Sequence, residues 1–291
     1  MRLSGSFYLS EMALSIYLIL TGVLLAFHHE IVPHAMGLIV LRVVVVSLIM
    51  VLALAQPSEK YRRVLDLLRL LLPLAMLAYL YGETDKLNNF LFKEDLDPFF
   101  SGIEASIFKF QPSRAFALEL PGNWFAEAMY FGYFSYYLLL LIIPLYIYFK
   151  TGREEAHRVM FIILHSFFIF YLVFIILPVG GPQFYFTDWP PLPGGYVFGH
   201  VMRLIQKFGE APTGAFPSSH VSICIMLVVI SARHARPLLK VILPVGILLI
   251  MSTVYIRAHY VIDVVAAGLV TWPLYAFSST IYERFHHTFN S

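Results

Sequence analysis

Residues 157–179 read HRVMFIILHSFFIFYLVFIILPV, and after Arg158 the run holds no Asp, Glu, Lys or Arg and a single histidine, His165. A helix needs about 20 mainly apolar residues to cross the hydrocarbon core of a bilayer. Backbone N–H and C=O groups find no water there, so a helix, which pairs its own, is the expected form. The rest of the chain resembles this run. Of its 291 residues 59% are hydrophobic and 13% charged, against about 25% charged in soluble domains. Mean hydropathy is +0.75. Seven further apolar runs lie at 11–28, 36–55, 65–82, 124–149, 217–234, 238–256 and 259–282. The fold expected is an all-α, polytopic membrane helix bundle of about eight spans. The run at 65–82 is short and carries Arg69 near one end, and Pro273 is expected to kink the last span.

The first run follows Arg2 and exits at His28-His29-Glu30 without a small-residue cleavage pattern, so it reads as a retained span. Net charge is only +2, which leaves no electrostatic footprint for nucleic acid. The single cysteine, Cys224, cannot form an internal disulfide.

Basic residues mark the cytoplasmic side of a membrane protein. Lys60, Arg62 and Arg63 follow the second span, Lys150, Arg153 and Arg158 the fourth, and Arg233, Arg236 and Lys240 the sixth. These three short loops share one side, so both termini are expected in the cytoplasm. The opposite loops are longer and mix acid with base. In the outer segment 83–123, Asp97-Pro98 suits a helix start, and Phe99, Phe100, Ile103 and Ile107 follow at helical spacing. That helix either lies in the outer interface or packs on the bundle. Trp124 and the tyrosines at 130, 133, 136 and 137 read as interface anchors and packing.

Ionisable residues in a membrane bundle are functional candidates by default. Two clusters stand out. Pro212-Thr213-Gly214-Ala215-Phe216-Pro217-Ser218-Ser219-His220 precedes the sixth span, where Ser218 or Ser219 suits an N-cap. Free first-turn amides and the helix dipole make such a start an anion site, with His220 beside it. Arg257-Ala258-His259-Tyr260-Val261-Ile262-Asp263 opens the eighth span. On a helix, His259 and Asp263 would share a face. Asp263 would then hold one imidazole proton and leave the other nitrogen free as a nucleophile. Arg257 adds a cation suited to phosphate. Each cluster alone also fits a bland reading, a capped helix or an ion pair that anchors a span. Both lie at outer helix ends, as does the turn Pro178-Val179-Gly180-Gly181-Pro182-Gln183, so one shared pocket is expected.

Pro217-Ser218-Ser219-His220 and His259-x-x-x-Asp263 resemble the second and third signatures of the type 2 phosphatidic acid phosphatase superfamily, in order and in position. The resemblance covers about the last two-thirds of the chain. It implies a six-helix catalytic core over 65–291, which includes the outer segment 83–123, preceded by two additional spans in 1–64. It also implies that His259 attacks phosphorus to form a phosphohistidine, that Asp263 orients it, and that His220 protonates the leaving oxygen. Ser218, Ser219 and the helix-start amides would hold phosphoryl oxygens.

The sequence departs from the family pattern twice. Gly181-Pro182-Gln183 stands where the first signature carries a lysine and an arginine. Thr253 stands where the third signature carries an arginine. Phosphate binding is therefore expected to run through Arg257 with Lys207 or Arg203. Gly181, Gln183 and Glu127 are candidate substrate or acceptor contacts, although Glu127 also reads as an interfacial carboxylate. His165 reads as a satisfied interhelical hydrogen bond. The arrangement, with its His259-Tyr260-Val261-Ile262-Asp263 element, looks more like the branch containing inositol phosphorylceramide synthases, which pass a phosphoryl headgroup to a lipid alcohol.

The expectation is a lipid phosphate phosphatase, with headgroup transfer as the alternative and a non-catalytic lipid binder or transporter as the third reading. Its partners are a lipid phosphate substrate and membrane lipids. No cofactor is expected, and no zinc or magnesium ligand pattern is present. The expected location is a bacterial inner membrane with the active site facing the periplasm.

Overall fold

A computed structural model describes residues 7–88 and 92–290, with side chains described to residue 286. Its elements are α1 (Leu9–Phe27), α2 (Ala35–Leu54), α3 (Glu59–Leu87), α4 (Asp97–Phe108), α5 (Pro112–Glu119), α6 (Asn123–Lys150), α7 (Arg153–Ile176), α8 (Pro182–Tyr185), α9 (Val197–Gly209), α10 (Ser219–His234), α11 (Arg236–Tyr255) and α12 (Val261–Asn290). No strand occurs among the described residues.

Among the described residues seven helices, α1, α2, α3, α6, α7, α11 and α12, are long and apolar enough to cross a membrane. The remaining expected span, the sixth, is α10, with only 16 residues. At 1.5 Å per residue it is about 24 Å long, short of the roughly 30 Å hydrocarbon core. It is packed against α6, α7, α11 and α12, so protein lines most of its surface.

The run that opened the sequence reading becomes α7, the central post of the bundle. A helix apolar all round is stable only when surrounded, and α7 meets α1, α3, α6, α10 and α12. Its neighbours supply aromatic faces, such as Tyr17 stacked on Phe168 with ring centres 4.7 Å apart. His165 on α7 meets the Ser278 hydroxyl of α12 at 2.9 Å. α6 and α11 approach each other closely. A Cβ at Gly132 would stand 2.9 Å from the Leu248 carbonyl oxygen, so only glycine allows this contact.

The third span runs over 59–87, not 65–82. Hydropathy discounted its charged ends, yet those charges are paired inside the bundle. Arg69 meets Glu11 of α1 at 2.6 Å, and Glu83 meets Arg42 of α2 at 2.6 Å. Asp66 accepts the Tyr8 hydroxyl.

The outer segment folds as α4 and α5. α4 packs on α8 and α12, and Phe99 and Ile107 point outward, 63% and 59% exposed. Its inner face is Asp97, Phe100, Ser101 and Glu104, not the apolar stripe that the spacing suggested. The reason is local: two of those polar groups bind the backbone of the site. α9 is an amphipathic helix that the sequence reading did not anticipate. It exposes Val197, Leu204 and Phe208.

Candidate functional site

The site forms where the start of α10 meets the turn between α11 and α12. Ser218 is the N-cap of α10, and its hydroxyl accepts the Val221 N–H at 3.3 Å. Its own N–H donates to the Asp263 carbonyl at 3.3 Å, which ties the two helix starts together. After α11 the chain reverses through Arg257, a non-glycine residue at φ 67°. Such a conformation costs on the order of 1 kcal/mol or more. It places His259 in the turn, where its N–H donates to the Thr253 carbonyl at 3.1 Å.

α12 begins only at Val261, so His259 precedes the helix and does not share a helical face with Asp263. Its Nδ1 lies 3.7 Å from Asp263 Oδ2, an ion-pair distance too long for a hydrogen bond. The same Nδ1 is 2.8 Å from the Ala215 carbonyl oxygen. A carbonyl can only accept, so Nδ1 carries the proton and Nε2 keeps a lone pair. His259 Nε2 faces His220 Nδ1 at 3.4 Å. Asp263 Oδ2 accepts the Tyr260 N–H at 2.8 Å, and its Oδ1 has no partner among the described residues. His220, in the first turn of α10, is sandwiched by Tyr133 and Tyr136, with ring centres 4.8 and 4.3 Å away.

Two carboxylates of α4 brace this turn, and the sequence reading assigned neither a part in it. Asp97 accepts the N–H groups of Gly180 and Gly181 at 2.7 and 2.8 Å and the Tyr260 hydroxyl at 2.9 Å. Burial nevertheless holds its carboxyl above the ordinary range, against those three bonds. Glu104 is fully buried and accepts the Val261 N–H at 2.6 Å, capping α12. Burial pushes Glu104 up to about 7, and the nearby Asp263 adds to the rise.

Gly181 makes the turn possible. Its φ is 94°, and a Cβ there would stand 2.6 Å from the Ala258 carbonyl oxygen.

Beside His220 lies a cavity of about 260 Å³ between α3 and α6, lined by Tyr81, Tyr133, Tyr136, Tyr137, Tyr171 and Glu210 around its polar part. Leu74, Leu77, Leu140 and Phe167 line the rest. Tyr133, Tyr136 and Tyr137 thus face the site instead of serving only as packing. Glu210 accepts from Gln183 Nε2 at 2.6 Å, and Gln206 donates to Gln183 Oε1 at 3.1 Å. Among the described residues Glu210 Oε1 is buried without a partner, and burial raises its carboxyl above the usual range. The only sequence signal for Glu210 was its place two residues before Pro212.

The cations expected at the phosphate lie elsewhere. Arg257 donates to the Pro190 carbonyl at 2.8 Å and stands over Trp189. Arg203 is exposed and donates to the Gly194 carbonyl at 2.7 Å. Lys207 is exposed, 5.5 Å from the Phe208 ring. Glu127 accepts the N–H groups of Tyr196, Phe198 and Gly199 at 2.6, 2.7 and 3.1 Å, so both its oxygens cap α9. Ser219 is buried at the start of α10, on the cavity wall. Among the described residues no group of three or more His, Cys, Asp or Glu is placed to hold a metal ion.

A family model described as the PAP2 superfamily matches residues 103–277, more than half of the chain. No curated protein and no solved structure gives a match.

Proposed function

The chain belongs to the PAP2 superfamily, and on that premise we propose that it removes phosphate from a membrane lipid through a phosphohistidine on His259. The observation that carries the reading is the opposition of two ring nitrogens, His259 Nε2 and His220 Nδ1, 3.4 Å apart. Phosphorus entering between them meets a nucleophile on one side and an acid on the other, which is the geometry of in-line displacement. The rings must part to admit it, since each reacting atom needs about 3 Å. His220 lines the cavity, the side toward which its ring would shift.

The steps balance without a metal. His259 Nε2 attacks phosphorus, and the bond to the lipid oxygen breaks. That oxygen takes the proton of His220, so the lipid leaves as an alcohol into the apolar cavity. Water then attacks the phosphohistidine, gives its proton to His220 and releases inorganic phosphate. The Ala215 carbonyl holds the Nδ1 proton in both steps, and Asp263 stabilises the cation that His259 becomes. The free amides at the start of α10 receive phosphoryl oxygens.

The reading puts the site on the outer side, opposite the basic loops, with both termini in the cytoplasm. A bacterial inner membrane with a periplasmic site fits that arrangement. Residues 65–291 would be the catalytic unit and 1–64 an accessory helix pair.

The test is phosphate release from a panel of lipid phosphates in detergent. His259→Ala is expected to lower the rate by about 10³-fold or more. A folded variant that keeps full activity overturns the mechanism.

A second reading, transfer to a lipid alcohol in place of water, is favoured by the apolar cavity next to His220, which suits a second lipid better than bulk water. Product analysis with and without ceramide or diacylglycerol separates the two. Inorganic phosphate as the sole product in both cases rejects transfer.

A further inference from the structure

A second set of cations lies outside the histidine pair. Arg257 and Arg114 stand over one indole, 5.2 and 5.9 Å from the centre of the Trp189 ring. The Tyr130 hydroxyl lies beside Arg203, with Arg257 close by. The proline-rich segment 189–194 holds the group together through its carbonyls. Pro190 accepts from Arg257 at 2.8 Å, Pro193 from Tyr130 at 3.1 Å and Gly194 from Arg203 at 2.7 Å.

Arg257 is 7% exposed, and its Nε is buried without a partner among the described residues. None of the three arginines forms an ion pair with a carboxylate among the described residues. A buried guanidinium without counter-charge is expensive, and two like charges on one ring add to the cost. Burial and the nearby Arg114 both pull the Arg257 guanidinium below its ordinary value. A bound anion would offset this penalty and satisfy the free Nε–H.

The position of the cluster says what the anion belongs to. Tyr133 stacks on His220, and Tyr130 lies three residues nearer the start of α6, about 4.5 Å along the axis. The cavity extends the other way, toward Leu77 and Leu140. The histidine pair thus stands between an apolar cavity and a cluster of cations. We propose that the Arg257–Arg114–Arg203 cluster binds a second anionic group of the lipid substrate, on the side of the reacting phosphate away from the tail.

The substrate class is then a phosphodiester lipid whose headgroup carries a phosphate or a carboxylate. This rests on the proposed attack of His259 on phosphorus and extends it from a monoester, which yields inorganic phosphate, to a diester, which yields the headgroup phosphate. Cleavage of the bond to the lipid oxygen leaves the phosphorylated headgroup on His259 and passes the His220 proton to the lipid alcohol. Water then releases the headgroup phosphate.

The test uses the full chain in detergent and four lipids with identical tails: a phosphate monoester, and phosphodiesters of glycerol, serine and glycerol 3-phosphate. Release of the common lipid alcohol is followed. Preference in kcat/KM for the glycerol 3-phosphate lipid over the glycerol lipid is expected, and Arg114→Gln, an exposed position, should reduce it about tenfold through KM. Serine in place of glycerol 3-phosphate tells whether a carboxylate suffices. Equal losses on every lipid, or none on any, overturn the anion site. Equilibrium binding of the glycerol 3-phosphate lipid to the His259→Ala protein keeps the two ideas apart. If no lipid is turned over but Arg114→Gln still weakens binding about tenfold, the chemistry is wrong and the anion site stands. Binding indifferent to Arg114 removes the site.

Discussion

Glu104 sits at the join between packing and chemistry. Its carboxylate accepts the first amide of α12, a favourable place for a negative charge at a helix start. Burial wins over that effect and lifts the group from 4.5 to about 7. The folded state therefore holds the proton more tightly than the unfolded chain does. The stability it brings is fully present below about pH 4.5 and is lost as pH rises through 7. The full difference is worth about 3 kcal/mol. Glu104→Gln keeps an acceptor for the Val261 amide and removes the titration. Thermal midpoints in detergent should fall between about pH 5 and pH 8 for the wild type and stay flatter for the variant. Parallel curves would mean that Glu104 is already charged when folded. The same titration sets a negative charge beside Asp263 above pH 7. The pH dependence of phosphate release should therefore differ between the two proteins on its alkaline side.

At the scale of elements, α9 is held at its N-terminus by one side chain from another helix. Three backbone amides, of Tyr196, Phe198 and Gly199, converge on Glu127. They are orphan donors of a helix start. Glu127→Ala leaves them to water at a cost of about 1 kcal/mol, and the effect should be local. Hydrogen exchange at Tyr196–Gly199 should speed up, while exchange in α7 stays unchanged. Protection of those amides in the variant would show that another group caps α9. Glu127 also illustrates how far the sequence could be read. Its apolar and aromatic neighbours marked it as an unusual carboxylate, but α9 itself lay in a segment with no long apolar run. The spans and the cap at Ser218 follow from periodicity and helix-start chemistry, which are local, and the expectation that His220 meets His259 comes from the basic loops, which put both helix starts on one side. The grip of Ala215 on His259, the bracing by Asp97 and Glu104, and the placing of Glu210 in the cavity depend on contacts between distant segments. No local pattern encodes them. His259 was misplaced by a single turn, because the left-handed Arg257 ends the helical geometry that a spacing of four assumes.

For the whole molecule, the question is whether residues 1–64 are an appendage. The sequence suggests a division there, whereas the family match begins at residue 103. The packing does not divide. Arg42 of α2 reaches Glu83 of α3 at 2.6 Å and also touches the Thr21 hydroxyl of α1. Glu11 of α1 meets Arg69 of α3 at 2.6 Å. All four charged side chains are nearly closed to solvent, at 3–6% exposure. A buried ion pair adds little net stability against a well-packed apolar pair, but removing one partner costs about 3–5 kcal/mol. Deleting 1–64 would remove Arg42 and Glu11 together and leave Glu83 and Arg69 without their opposite charges across the interface. The truncated chain is expected not to accumulate as a monodisperse species in size-exclusion chromatography. The double substitution Glu83→Gln with Arg69→Gln in the truncated chain should recover part of it, because it removes the stranded charges. Glu83→Gln in the full chain should lower the thermal midpoint, since Arg42 then loses its carboxylate. A truncated chain that folds and turns over lipid with Glu83 and Arg69 intact would show that the site-bearing helices stand alone and that these pairs only attach the first two.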